Sequence, residues 1–465
     1  MTSLQDPKQA LAALWRHAAQ DEAALEQVEL TGAEPMLPSS FAVGTAAQAS
    51  IAAAALAAAE LWRLRSGRRQ RVGIAMRDAA IAFRSDHYLR VGSEPPREVW
   101  NKIAGLYRCG DGRWVRLHTN FPHHRDGVLK LLGCEYAREA VQRALDGWQG
   151  EAFETAAAEA GLVVTMTRSF AEWDAHPQGR AVAGLPVFSI ERIGEAAPRP
   201  LPSGATPLAG VNVLDLTRVI AGPVCGRTLA VHGADVLLVT AAHLPQMGTL
   251  VIDNGRGKLS TFIDLRESGG RETLAALTRE ADLFVQGFRP GAIGGHGFTP
   301  EQAARLRPGI VYVSLSAYGH EGPWAKRRGF DSLVQNANGI NHAEAAAAGA
   351  AQPKPLPCQA IDHATGYLMA FGAMTALARR VTEGGSWHVR VSLAQTGHWI
   401  RSLGRVADGL ACPDPGFDDV RDRLEESDSS FGRITTVRHA AMMAETPPRW
   451  TRPSVSLGTH APVWP

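Results

Sequence analysis

The chain has 465 residues, 45% of them apolar and 20% charged, which is too long for one ordinary domain and apolar enough to bury a sizeable core. Its 48 basic and 46 acidic residues leave a formal net charge of +2, which excludes bulk attraction to nucleic acid or an anionic membrane and leaves any anionic ligand to local groups. The five cysteines (Cys109, Cys134, Cys225, Cys358 and Cys412) form no C-x-x-C pair, so neither a metal site nor a disulfide framework is expected, and the pattern suits a reducing, cytoplasmic setting.

The N-terminal stretch is mixed in charge and lacks the apolar core and cleavage site of a secretory leader. Residues 1–39 read as a helix followed by a Gly/Pro turn. Residues 40–65 read as one long, Ala-rich helix, buried rather than membrane-spanning. RVGIAMRDAAIAFRSDHYLR then reads as a short strand entering a helix, so 1–85 is an N-terminal helical segment. Residues 86–205 have the texture of a small α+β domain: CGDGR between apolar runs signals a hairpin, FPHHRDGVLKLLG a helix, and a Pro/Gly/Ser linker follows near 195–209. His123 and His124 are adjacent, lack metal-ligand spacing and are expected at the surface.

From 206 to 410 strands alternate with helices. VNVLDL, DVLLV, FIDL, DLFVQGF and IVYVSLSAYG are the strands, and Thr299, Pro300 and Gln302 form a capping-box start for the helix TPEQAARLRP. Continuous apolar strands between amphipathic helices predict an α/β fold with a parallel sheet covered on both faces, whose ligands bind beyond the carboxyl ends of the strands. Trp62, Trp114, Trp387 and Trp399 are expected to pack the core. The tail, 411–465, is rich in Pro, Asp, Ser and Arg and is expected to be irregular and wrapped over the surface.

Within CQAIDHATGYLMAFGAMTALARR, Asp362 stands where a Pro-rich approach becomes helical. A carboxylate there can cap the helix and lie in the positive end of its dipole, and the small residues Ala364 and Gly366 leave room beside it. An internal repeat bears on this position. Sliding the N-terminal segment along the chain until Ser85 falls on Ser402 lays Arg63 on Arg380, Gly67 on Gly384, Val72 on Val389 and Arg84 on Arg401. Thr45 then falls opposite Asp362, so only one copy carries the carboxylate.

The stretches LAGVNVLDLTRVIAGPVCGRTLAVHGADVLLV, NGRGKLSTFIDL, ADLFVQGFRPGAIGGHGF, IVYVSLSAYGHEGPWAKRRGFDSLVQ and AIDHATGYLMAFGAMTALARR resemble the family III CoA-transferases, whose members include formyl-CoA transferase and carnitine CoA-transferase. Residues 45–205 resemble the part of the same family that follows its catalytic Asp. The chain thus resembles a two-copy, permuted or gapped member. The resemblance implies a Rossmann-like large domain with a smaller α+β domain, an interlocked homodimer, and acyl-CoA and carboxylic acid substrates, with coenzyme A as substrate rather than resident cofactor. It implies Asp362 as the nucleophile that forms an aspartyl-CoA thioester, with Asp331 near it. It directs coenzyme contacts to Arg218, Ala221, Asn254, Arg256, Lys258 and Arg289, with Arg218 and Lys258 foremost.

The sequence also departs from the family. DVLLV is followed by Thr240, Ala241 and Ala242 where a basic or acidic-basic pair is common, and Gly294 and Gly295 lie where an Arg is common. Phe330 occupies the position of the racemase branch's His, and His363 is expected to point away from the nucleophile along the helix. Two alternatives to the transferase therefore stand: a weak or inactive member acting as a subunit or scaffold, favoured by the gapped architecture and the lost basic positions, and an acyl-CoA racemase or isomerase, opposed by Phe330.

Overall fold

The computed structural model describes residues 4–95 and 100–465. Its centre is a seven-stranded sheet of β1 (Phe188–Gly194), β2 (Asn212–Leu216), β3 (Asp235–Thr240), β4 (Lys258–Phe262), β5 (Leu283–Gln286), β6 (Val311–Ser316) and β7 (Ser386–Ser392) in the spatial order β4-β3-β2-β5-β6-β7-β1. Strands β2 to β7 are parallel; β1 pairs antiparallel with β7 at the edge. The order reverses between β2 and β5, and the crevice beyond their carboxyl ends is where doubly wound sheets of this kind place ligands.

The expected α/β class and parallel sheet are present, with three local corrections. The third parallel strand is KLSTF, not the FIDL stretch that overlaps its end. Pairing with β3 at Lys258–Val236 through Phe262–Thr240 fixes that register, against an apolar pattern that the buried Lys258 and Ser260 interrupt. The strand β1, within the segment assigned to the small domain, belongs to the large sheet. The tail is not wholly irregular: Leu424–Ser429 and Gly432–Val437 form a hairpin extended by Arg90–Val91, and Ala441–Met443 pairs with Val72–Ala75. Polar composition hid these strands, because one face of each is left to solvent. The smaller unit contains the antiparallel sheet of Gly105–Arg108, Trp114–Leu117 and Val164–Met166 with helices against it.

Three helices organise the core: α1 (Val43–Ser66), α2 (Ala221–Val231) and α3 (Ala360–Glu383). By length and composition α1 could cross a bilayer, yet its apolar stretch is wholly buried inside the fold. Helices α1 and α3 pack against each other, and they start and stop in the register of the internal repeat, Val43 answering to Ala360 and Ser66 to Glu383. Even the residues before them match, Ala42 at φ −76°, ψ 62° and Gln359 at φ −77°, ψ 60°. Helix α2 crosses α3 at Gly366, where a Cβ would sit 2.5 Å from the Ala221 carbonyl oxygen and 2.6 Å from Val224 Cβ. Of the tryptophans expected inside, Trp387 is buried, whereas Trp62, Trp114 and Trp399 are half-buried.

Candidate active site

Two loops leaving the sheet shape the crevice. The chain exits β2 through Arg218, Val219 and Ile220 into α2; it exits β5 through Gly287, Phe288 and Arg289. Val219 has φ +73°, a left-handed conformation that a β-branched residue adopts only under strain, and such strain collects at functional sites. With Leu315–Ala317 at the end of β6 and Arg327–Phe330 beyond, these loops enclose a cavity of about 320 Å³. Phe121, His123 and His124 close it from the smaller unit, and Asp362 lies in its wall.

A second cavity of about 80 Å³ also reaches Asp362. It shares Val219, Ile220, Phe330 and Asp362 with the first and adds Asp86, His118, Gln359 and Ser332 among its other walls. Asp362 therefore stands at the junction of two spaces, 6% exposed.

The helix start holds the group without using it. The Asp331 carboxylate, not that of Asp362, caps α3: its Oδ2 accepts the Asp362 backbone N–H at 2.9 Å, and Gln335 Nε2 donates to its Oδ1. The Asp362 side chain accepts no hydrogen bond among the described residues and is left facing the cavities. Burial, with the neighbouring Asp331 and Asp86 carboxyls, raises its pKa well above the usual carboxylate range. Burial also pushes Asp331 up to about 7, against the pull of the α3 backbone N–H groups and Gln335. Asp86 is raised to about 6 by burial and by Asp253. Perturbed carboxyls gathered in a cleft in this way make it a candidate functional site.

The residues assigned to the coenzyme divide. Arg218, Ala221 and Arg289 line the larger cavity. Arg218 donates to the Pro245 carbonyl and lies 5.0 Å from the Phe121 ring centre, whereas Arg289 is exposed at the rim. Asn254 and Lys258 reach only a side space of about 40 Å³. Lys258 is buried and held 2.8 Å from both Asp215 Oδ2 and the Pro223 carbonyl. Arg256 is buried away from both cavities, 2.8 Å from the Val437 carbonyl and 4.0 Å from the Trp450 ring centre. Both of those cations serve the fold; spacing could not show that their partners, Asp215 and Val437, would converge on them.

Other wall residues escaped the sequence reading. Arg327 and Arg328 line the larger cavity; Arg328 donates to the Gly161 carbonyl at 2.8 Å. His123 is exposed, as expected, whereas His124 is buried. Both line the cavity with ring centres 4.1 Å apart, and His124 is 3% exposed, burial lowering its pKa to about 3. Phe330 stacks on His118 with ring centres 3.9 Å apart. His363 points elsewhere, stacked on Phe83 at 5.4 Å.

An α/β chain with a carboxylate at a helix start, set where a doubly wound sheet reverses its order, is thus the class that fold and site define. The particular family follows from comparison: the chain belongs to CoA-transferase family III, whose model matches residues 15–198 and 208–410. Asp362 comes from the second match and Phe121, His123 and His124 from the first. Acetyl-coenzyme A transferase nodX of Hypoxylon pulicicidum is 29% identical over 327 residues, covering 65% of this chain and 55% of that protein. A formyl-CoA:oxalate CoA-transferase of Escherichia coli is 30% identical over 203 residues, covering 41% and 48%. The chain thus spans about half the length of the curated relatives it matches. A crystal structure of the Mycobacterium tuberculosis protein Rv3272 aligns with 30% identity and a TM-score of 0.40, over 43% of this chain and 59% of that one.

Proposed function

We propose that the protein moves coenzyme A between carboxylic acids through an aspartyl-CoA thioester on Asp362. The observation that carries this reading is the Asp362 carboxylate, left without a hydrogen bond among the described residues at the junction of two cavities while Asp331 performs the capping. A carboxylate Oδ attacks the thioester carbonyl, the C–S bond breaks, and the acyl group passes to Asp362 as a mixed anhydride. The released CoA thiolate attacks the Asp362 carbonyl carbon, giving the aspartyl-CoA thioester and the first free acid. The acceptor carboxylate repeats both steps in reverse, so one difficult exchange becomes several easier ones with no net proton transfer. The larger cavity suits the coenzyme arm, with Arg218, Arg289, Arg327 and Arg328 around it to meet phosphate. A cytoplasmic setting agrees with five unpaired thiols.

Incubation with an acyl-CoA followed by mass spectrometry tests this. A CoA adduct, trapped by hydroxylamine on the peptide carrying Asp362, is expected. Asp362→Asn should keep the fold and lose exchange entirely, because an amide is no nucleophile here while the cap belongs to Asp331. Full activity in that variant would refute the assignment. Binding of CoA with no adduct would favour the scaffold alternative.

A further inference from the structure

The smaller cavity has a composition that the transferase chemistry alone does not require. At about 80 Å³ it has room for only a few non-hydrogen atoms, since each water in the liquid takes about 30 Å³. Trp100, Met247 and Leu250 contribute apolar walls. Val219, Ile220 and Phe330 add to those walls, and the rest of the lining is polar. Ser332 Oγ and His118 Nδ1 are buried with no hydrogen-bond partner, in side chains each 3% exposed. Groups so placed lose their hydration on folding and recover it only from a ligand or an ordered water.

Charge narrows the ligand further. The Asp86, Asp331 and Asp362 carboxyls all border this space. A second carboxylate on the acyl chain would meet three carboxyls and, among the described residues, no lysine or arginine in the cavity wall. Arg116, beside Asp331, is packed 5.3 Å from the Trp100 ring centre and is not part of the cavity wall. An uncharged hydroxyl, by contrast, can donate to a carboxylate and accept from Ser332.

We propose that this cavity selects a short acyl group bearing a hydroxyl on its second or third carbon, over unsubstituted, dicarboxylic or long-chain acyl groups. The inference rests on the CoA-transferase reading of Asp362. Its substrate is the CoA thioester of a small hydroxy acid, or the free hydroxy acid as acceptor. Size excludes the long chain, the three carboxyls exclude the diacid, and the unpartnered polar atoms favour the hydroxyl.

The full chain is to be incubated in turn with propionyl-, lactoyl-, 3-hydroxypropionyl-, succinyl- and octanoyl-CoA, with the rate of CoA adduct formation on Asp362 read by intact mass. One of the two hydroxyacyl esters is expected to react at least about 10-fold faster than propionyl-CoA, and octanoyl-CoA about 100-fold slower than that ester, the scale on which pockets with buried polar groups discriminate. Ser332→Ala is expected to shrink the hydroxyacyl-to-propionyl ratio toward unity. Equal hydroxyacyl and propionyl rates, or a preference for succinyl- or octanoyl-CoA, would overturn the proposal while an adduct still upheld the transferase. No adduct with any of the five esters would overturn the transferase reading and this inference with it. The ester series on the unaltered protein decides the matter even where the Ser332 variant fails to fold.

Discussion

Asp362 can attack only when ionised, and its surroundings oppose ionisation. Burial together with Asp331 and Asp86 raises it, so adduct formation should go on climbing with pH beyond the point near pH 5 where an unperturbed carboxylate would level off. A profile flat from pH 5 to 9 would contradict this environment. The same shift has a stability consequence. Asp331, at about 7 in the fold, binds more protons folded than unfolded, so its contribution is fully present below its unfolded pKa near 4 and is lost as pH rises through about 7. Asp331→Asn should therefore change the melting temperature more favourably at pH 8 than at pH 5; the opposite trend would refute the sign. Lys258 and Arg289 make a contrasting pair. Lys258→Met strands the buried Asp215 carboxylate and should cost about 3–5 kcal/mol in denaturant unfolding. Arg289→Ala, at an exposed site, should change stability by less than about 0.5 kcal/mol while weakening acyl-CoA binding in a salt-dependent way.

Helices α1 and α3 show at the level of elements what the repeat means. The Thr45 N–H donates to Glu34 Oε1 at 2.6 Å, as the Asp362 N–H donates to Asp331. Each helix is thus capped by a carboxylate from outside it, and the capping device appears in both copies. The carboxylate at position 362 does not, so capping does not account for it. The crossing of α2 and α3 depends on Gly366. Gly366→Val would press a branched side chain into the Ala221 carbonyl and Val224. It should destabilise the fold by about 1–3 kcal/mol or more, as overpacking does, and reduce adduct formation by moving α2 and its Ala221 wall. Unchanged unfolding in this variant would mean the helices are not in close contact.

At the scale of the whole molecule, the two matched halves line the same cavities. Asp362, α2 and the sheet loops come from the second, and His118, Phe121, His123 and His124 from the first. The tail fastens them: its hairpin extends Arg90–Val91, Ala441–Met443 extends Val72–Ala75, and His460 bonds both ways with the Ser260 backbone on β4. Because both cavities are walled within one chain, the interlocked homodimer implied by the family resemblance is not needed to complete them. Adduct formation per chain should then be unchanged on dilution from micromolar to nanomolar protein; a falling rate would show that a second copy completes the site.

Local patterns settle whatever depends on a few neighbouring residues. The strand–helix alternation, the long buried helix over 40–65, the capping box at Thr299 and Gln302 and the repeat that lays Ser85 on Ser402 were all legible, because side-chain period and cap chemistry are local. So was the place of Asp362 at a helix start. What the sequence could not show is which groups meet across the chain. Lys258 reads as a free cation until Asp215, 43 positions earlier, is found against it. His124 reads as a surface residue until folding buries it, 3% exposed. Asp331 becomes the cap of α3 only because folding carries it to a helix that begins well beyond it in the chain, at Ala360. Pairing, burial and the charge of a cavity are properties of long-range contact, and the tertiary structure alone decides them.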